Sequence, residues 1–122
     1  MTDQQKSESW HQTKFFAHVA EAAARGDDRY KNIFAIPNGG HRDKVTGARM
    51  KAEGARAGVP DIFVAVPSAG MHGLFIEMKI KGGRLSDKQE VWRDRLKQHG
   101  YGFVVCYGVE EALGVLSDYF AT

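Results

Sequence analysis

Three charged residues lie in two apolar segments that are predicted to be neighbouring strands. Asp61 belongs to the segment 58–64, and Glu77 and Lys79 belong to the segment 74–80. Successive side chains of a strand point to opposite faces, so Glu77 and Lys79 share one face. Because turn residues separate the segments, a hairpin would bring Asp61 level with this pair, within a residue or two. Two carboxylates and an ammonium on one face suit a metal site with a charged helper.

An acidic residue two positions before a lysine is more often a solvated pair at a sheet edge. The composition of the two segments favours the functional interpretation here. Both are nearly continuous apolar runs, which indicates inner strands covered on both faces. Charges in such strands are costly unless they are paired or bound to a metal, so their presence needs a reason.

The composition is that of a soluble globular protein. The chain has 122 residues, of which 43% are hydrophobic and 26% charged, and we expect one compact domain over residues 8–122 after a disordered stretch at 1–7. No apolar run is long enough to span a membrane, and no signal region is visible, so a cytoplasmic location is expected. The single cysteine, Cys106, lies in an apolar strand and is expected to be a buried, inert thiol.

The periodicity predicts an α/β sandwich around a mixed sheet of about four strands, in the order α-β-α-β-β-α-β-α. The predicted helices cover residues 8–25, 44–55, 86–99 and 109–120, and the strands cover 33–36, 58–64, 74–80 and 102–107. The helix residues predicted to face the core are Phe15, Val19, Val91, Trp92, Leu96, Ala112, Leu113, Leu116 and Phe120.

Pro60-Asp61 followed by Glu77-Met78-Lys79 matches the signature of the PD-(D/E)XK nuclease superfamily. That short pattern has specific surroundings, namely the blocks 36–40, 54–61, 73–79 and 84–89 in this order. Together they closely resemble the VRR-NUC (virus-type replication-repair nuclease) domain from about residue 8 to 120. The resemblance is to the stand-alone form found in phages and bacteria, which implies the cytoplasm of a bacterial or phage-infected cell.

The resemblance implies a phosphodiesterase that depends on Mg²⁺ or Mn²⁺. Asp61 and Glu77 would hold the metal, helped by the Met78 carbonyl, and Lys79 would lie beside the attacking water. Hard cations of this kind prefer oxygen ligands and stabilise charge that develops on a phosphate. The two carboxylates would raise the pKa of Lys79, so a positioning and electrostatic role is favoured over proton abstraction.

Two further residues are candidates for the site. Glu8 fits the family's E-x-x-x-Q pattern and shares a helical stripe with Phe15, which agrees with a third metal ligand; Glu21 is the fallback. Gln89 matches a position near the active site of related nucleases. The segment from Ser86 to Gln89 is also a capping box, and both interpretations of Gln89 can hold.

Basic residues flank the charged trio in sequence. Residues 41–56 contain five Lys or Arg against two acids, and residues 79–97 contain seven against three. Such charges position a DNA backbone and carry little base information, and they are commonly plain surface charges. Arg56 and Lys81 rank first because each is close in sequence to a metal-ligand candidate. The candidate DNA contacts are Arg42, Lys44, Arg49, Lys51, Arg56, Lys81, Arg84 and Lys88, with Asn38 and Gly39 in a loop whose amides could approach a phosphate.

The sequence shows no helix-turn-helix or zinc-finger pattern, which favours recognition of DNA shape. We therefore expect a structure-selective endonuclease for branched DNA, such as four-way junctions or flaps, in replication, repair or recombination. The resemblance implies a homodimer, whose two-fold axis would suit a symmetric junction. The alternatives are a non-catalytic nucleic-acid-binding module and a restriction-type or RNA nuclease of the same fold. The five histidines show no ligand spacing.

Overall fold

A computed structural model describes residues 2, 5–37 and 43–121 of the chain. The elements follow the predicted order, with a short 3-10 helix at Asp28–Asn32 added before the first strand. The helices are α1 (Glu8–Ala24), α2 (Lys44–Ala52), α3 (Asp87–Gln98) and α4 (Val109–Phe120). The strands are β1 (Ile33–Ala35), β2 (Ile62–Val64), β3 (Leu74–Lys79) and β4 (Gly102–Tyr107).

The four strands form one mixed sheet in the order β1-β2-β3-β4. The pairs β1–β2 and β2–β3 are antiparallel, whereas β3 and β4 are parallel and are connected through α3. A parallel pair needs such a crossover, because a tight turn can only reverse the chain direction. The predicted α/β fold with a mixed four-stranded sheet is confirmed.

Alternate residues of the strands build two different sheet faces. The face that we call the core face carries side chains that are almost fully buried, and it packs with α1 and α4. Its strand residues are Ile33, Ile62, Val64, Leu74, Ile76, Met78 and Cys106. The opposite face, which we call the site face, carries Glu77 and Lys79 at the intervening positions of β3. The predicted shared orientation of these two residues is therefore confirmed.

Helix ends are fixed by local hydrogen bonds in three cases and by a distant residue in one. Ser7, Asp43 and Ser86 cap α1, α2 and α3 with their own side chains. Helix α4 starts after Gly108, which has no side chain to offer. Instead, Nδ1 of the buried His11 accepts a hydrogen bond of 3.0 Å from the Val109 amide. His11 thus replaces a missing cap and ties α1 to α4.

The sequence analysis was wrong on several details. The strand around Asp61 is shorter than expected and begins at Ile62, because Gly58, at φ +90°, turns the chain just before it. Helix α2 ends at Ala52 rather than residue 55. Val91 is 47% exposed instead of inward.

The inner strands are also less covered than expected. Phe63 and Phe75, on the site face of β2 and β3, are only half-buried. Helix α3 packs against β4, which lies at the opposite edge of the sheet from β1. The prediction that these two apolar strands are fully covered on both faces is therefore wrong.

Among the described residues, no helix has both the length and the apolar character needed to cross a membrane.

Candidate active site

Asp61 is held between β1 and β3 at the start of β2. Its carbonyl oxygen accepts a hydrogen bond of 2.7 Å from the Ile36 amide. Its carboxylate oxygen Oδ2 accepts one of 2.8 Å from the Met78 amide. Ile62 pairs with Ile76, so continuing this register places Asp61 opposite Glu77, as the hairpin prediction required. Both ends of the residue are fixed, which orients its second carboxylate oxygen.

Glu77 is the most deeply buried acid of the described chain, with 2% of its surface exposed. Its oxygen Oε2 accepts a hydrogen bond of 3.2 Å from Gln89 Nε2 and lies 3.8 Å from Lys79 Nζ. The other oxygen, Oε1, is buried and receives no hydrogen bond within the described residues. Burial of an unsatisfied polar atom is costly. Of the two carboxylate oxygens, Oε2 therefore has a hydrogen-bond donor among the described residues and Oε1 has none.

The electrostatics of Glu77 are dominated by burial and by Asp61. Burial first, then the charge and contact of the Asp61 carboxyl group, raise the pKa of Glu77 to about 9. The charge of Glu8 raises the pKa further, whereas Lys79 acts in the opposite direction. Two carboxylates that face each other in a low-dielectric site cannot both ionise without a compensating positive charge. Lys79, at 3.8 Å, supplies only part of that compensation.

Gln89 connects the helix cap to the site. Its Oε1 accepts a hydrogen bond of 2.9 Å from the Ser86 amide, and Ser86 Oγ accepts one of 3.2 Å from the Gln89 amide. This is the predicted capping box of α3. At the same time, Gln89 Nε2 donates to Glu77. The capping box is confirmed, and the contact with Glu77 coexists with it because each uses a different atom of the same amide group.

Comparison with known proteins settles the relationship. The family model for the VRR-NUC domain matches residues 2–110. The chain belongs to the VRR-NUC family. A solved structure titled "VRR_NUC domain protein" is similar to it with a TM-score of 0.80 and 25% sequence identity, over 95% of this chain and 89% of that one. A search of curated proteins found no match. Membership indicates a nuclease of the PD-(D/E)XK type, a class that generally uses divalent metals and has DNA as its substrate.

The first turn of α3 reaches the site of this VRR-NUC domain because Gly58 lacks a side chain. A Cβ atom at Gly58 would come within 2.7 Å of the Lys88 carbonyl carbon, and its φ of +90° disfavours other residues. The loop before Asp61 therefore lies directly against the helix that carries Gln89. This close approach sets the distance between Gln89 and Glu77.

The first helix contributes less than the sequence suggested. Glu8 is exposed, although Phe15 on the same stripe is fully buried, so the expected inward position of Glu8 is wrong. It is the first residue of α1, and its charge acts on Glu77 from there. Glu21 is also exposed and lies 4.0 Å from Arg25. Across residues 5–37 and 43–121, no three His, Cys, Asp or Glu side chains group as metal ligands. A metal role for Glu8 stays a prediction.

The candidate DNA contacts form no part of this buried cluster. Those within the described ranges are all exposed, as phosphate contacts and plain surface charges both would be. Asn38, Gly39 and Arg42 lie outside the described residues. The exposed candidates are Lys44, Arg49, Lys51, Arg56, Lys81, Arg84 and Lys88.

Tyr107 is a neighbour of the site that the sequence analysis did not single out. It is the β4 partner of Lys79 in the parallel ladder and is 45% exposed. Its hydroxyl group donates a hydrogen bond of 3.1 Å to the Gly83 carbonyl. Strand alternation would have placed Tyr107 on the site face, but only if the register between β3 and β4 had been known.

The residues of the site fit a divalent cation. Within the described residues the buried Oε1 of Glu77 has no donor, and burial together with the nearby Asp61 carboxylate raises the pKa of Glu77. A cation satisfies both conditions, because it binds anionic oxygen and needs no hydrogen from it. The backbone carbonyl of Met78, between Glu77 and Lys79 in sequence, is the additional oxygen that the family resemblance implies.

Proposed function

We propose that this chain is a Mg²⁺- or Mn²⁺-dependent endonuclease that acts structure-selectively on branched DNA. The observation that carries the proposal is the buried, donor-free oxygen of Glu77 beside the Asp61 carboxylate. An apolar protein interior tolerates such a pair only when one carboxyl group keeps its proton or when positive charge compensates both. Asp61 and Glu77 would hold the metal, with the Met78 carbonyl assisting and Glu8 as a further candidate.

A bound divalent cation would supply positive charge that stabilises the negative charge developing on the scissile phosphate. Lys79 would do complementary work. Its side chain is only 13% exposed, and its Nζ lies 3.8 Å from Glu77 Oε2, so the ammonium group is held beside the carboxylate pair. From there it can orient the nucleophilic water or contact the phosphate. Because this charge is already in place before the reaction, the site does not have to reorganise as the transition state forms.

Gln89 would act as a positioning residue. Its amide group is fixed by the capping box through Oε1, so Nε2 points at Glu77 without further loss of side-chain freedom. This holds one carboxylate oxygen and leaves the other directed away from the helix. Support for the metal ligand by a second layer of hydrogen bonds is a general feature of metal sites.

Selectivity for branched DNA is supported by the kind of contacts available. The exposed lysines and arginines that flank the trio in sequence can bind phosphates regardless of base sequence. Recognition would then depend on the shape of the DNA. We further propose a homodimer in which a two-fold axis relates two active sites, since that symmetry matches a four-way junction.

The test is cleavage of end-labelled duplex, single-stranded, flap and four-way-junction DNA with Mg²⁺, with Mn²⁺ and with EDTA. The wild type is compared with Lys79→Ala and with Lys31→Ala, an exposed lysine of the 3-10 helix that serves as the matched control. We expect metal-dependent cutting of branched DNA by the wild type and Lys31→Ala, but not by Lys79→Ala. Binding of branched DNA without cutting by all three proteins would instead identify a non-catalytic module. Cutting of RNA in preference to DNA would correct the substrate.

A further inference from the structure

One phenylalanine from each strand lies in a row across the site face. Phe34 is the partner of Phe63, Phe63 of Phe75, and Phe75 of Phe103. We call these residues the phenylalanine row. They stand in register, so the row runs straight across β1, β2, β3 and β4.

Three rings of the row, those of Phe34, Phe63 and Phe75, contact one another, and Phe34 on β1 is the most exposed. Phe63 and Phe75 are stacked, with centroids 4.3 Å apart and planes inclined by 24°. Phe34 meets Phe63 edge to face at 5.7 Å and 82°. Phe63 and Phe75 are half-buried, whereas Phe34 is 49% exposed. The β1 end therefore presents aromatic surface to solvent within the described structure.

The ring of Phe63 is held by the turn before β3. A Cβ atom at Gly73 would come within 2.8 Å of Phe63 Cε1, so the ring occupies the space that any other residue would fill. Tyr101 packs against both Phe63 and Phe75, at 6.1 and 5.6 Å. The exposed ring of Phe34 thus rests on a fixed aromatic base, and little side-chain freedom is left to lose on binding.

The phenylalanine row is continuous with the candidate active site. Phe75 precedes Glu77 by two positions on β3, a separation of about 7 Å along a strand on the same face. Lys79 follows at the next position of that face. On the strand positions of the site face, Glu77 is the one acid, and it is engaged in the site. A DNA backbone held at Lys79 would therefore reach uncharged aromatic surface within one or two nucleotides.

We propose that the phenylalanine row is a stacking platform for unpaired bases of the DNA strand whose backbone reaches Glu77 and Lys79. The inference rests on the proposed function for the identity of that strand. Aromatic side chains bind bases through their faces, independent of base identity, and this is how many proteins hold single-stranded DNA. Branched DNA offers unpaired bases next to its branch point, so the row would select for such sites beside the scissile phosphate.

Base stacking can be measured separately from phosphate binding. The probe is a fluorescent single-stranded oligonucleotide of mixed sequence, beside one of equal length whose central nucleotides are abasic, titrated in EDTA so that no cleavage occurs. We expect Phe34→Ala to weaken binding of the intact strand by at least about fivefold, the lower end of the cost of losing a base–aromatic contact. The abasic strand keeps its phosphates and should bind Phe34→Ala and the wild type equally.

Two further variants separate stacking from other effects. Phe34→Leu keeps apolar surface but removes the ring, and it should weaken the intact strand as Phe34→Ala does. Val91→Ala is the matched control, because Val91 is 47% exposed and lies on α3 away from the row. It should bind both strands as the wild type does. Circular dichroism and thermal unfolding check that each variant is folded.

Equal loss for intact and abasic strands, or none for either, would overturn the stacking proposal. A change of oligomeric state in Phe34→Ala by sedimentation, without a base-dependent loss, would assign the row to contact between copies of the chain. The outcome is independent of the nuclease assignment. If DNA is cleaved in the presence of metal but Phe34→Ala weakens binding of both strands equally, the proposed function stands and the stacking proposal fails. If Phe34→Ala weakens binding of the intact strand alone but no DNA is cleaved, the stacking proposal stands and the nuclease assignment fails.

Discussion

The two faces of β3 are built from alternate residues of one six-residue strand, yet they differ in nearly every property. On the core face, Ile76 and Met78 are at most 1% exposed and contact the apolar layer of α1 and α4. On the site face, Glu77 is equally buried, but within the described residues its oxygen Oε1 receives no hydrogen bond. Phe75 and Lys79, its neighbours on that face, are only partly buried.

This comparison shows what supports the charged site. A buried carboxylate pair opposes folding, because desolvation of ionised groups is unfavourable. The opposite face of the same strand contributes apolar burial, worth about 1.5–3 kcal/mol for each fully buried large side chain. The strand that carries Glu77 is thus stabilised by the apolar contacts of its core face. Substitutions on the two faces test whether the core face determines stability and the site face determines cleavage.

The largest effect is expected on the site face. Lys79→Ala should lower cleavage of the preferred DNA by about 10²- to 10³-fold, the usual cost of removing one preorganised electrostatic group. Its free energy of unfolding should stay close to that of the wild type, because in the described part of the chain the ammonium group has one ion-pair contact, at a distance of 3.8 Å. Single-turnover cleavage and urea denaturation measure the two quantities. A large loss of stability with unchanged cleavage would reverse the assigned roles of the faces.

The neighbouring core-face residue should show the reverse pattern. Ile76→Ala should reduce the free energy of unfolding by about 2–5 kcal/mol, through lost apolar burial and the cavity left behind. Ile76 is fully buried in the apolar cluster. Cleavage per folded molecule, measured below the unfolding temperature, should be retained. If cleavage fell as much as in Lys79→Ala while the protein remained folded, the faces would not be separable.

Glu77→Gln should make the metal-free protein more stable at alkaline pH, by on the order of 1 kcal/mol. Burial and Asp61 raise the pKa of Glu77 from 4.5 to about 9. The folded wild type therefore retains a proton that the unfolded chain releases, so its free energy of unfolding falls as pH rises between these values. The variant lacks this dependence. Urea denaturation in EDTA at pH 5 and pH 8 measures the difference.

The same variant sharpens the metal assignment. Adding Mg²⁺ or Mn²⁺ should stabilise the wild type by mass action and should have much less effect on Glu77→Gln. Equal stabilisation of both proteins would show that Glu77 is not a metal ligand. An identical pH dependence of both proteins in EDTA would show that Glu77 does not carry the perturbed pKa.

The smallest effects concern the two hydrogen-bonding roles of Gln89. Ser86→Ala removes a cap and should cost about 0.5–2 kcal/mol of stability, with little change in cleavage. Gln89→Glu keeps an N3 acceptor for the capping box but replaces the donor to Glu77 by a carboxylate. It should slow cleavage, and it should also destabilise the metal-free protein, because a third carboxyl group then faces the Asp61–Glu77 pair. If both variants affected only stability, Gln89 would be purely a capping residue.

Much of the fold could be predicted because its signals are local. The strand at 102–107 and the helix at 109–120 were predicted with the bounds observed, since alternation and helical spacing are strong there. The wrong predictions concern residues whose burial depends on which other element packs against them. Val91 is exposed because α3 covers only part of the site face. Glu8 lies on the predicted stripe of α1, yet it is exposed at the first position of the helix, whereas Phe15 is fully buried.

The amino-acid sequence by itself determined the order of the elements, the trio Asp61, Glu77 and Lys79, and the relationship to VRR-NUC domains. These depend on residue identity and on side-chain periodicity within single segments. The tertiary structure alone decided that Glu77 Oε1 is buried without a donor and that one amide of Gln89 serves both the helix cap and the site. It also decided that four phenylalanines align. Strand register and helix placement set these features, and both depend on contacts between residues far apart in the chain.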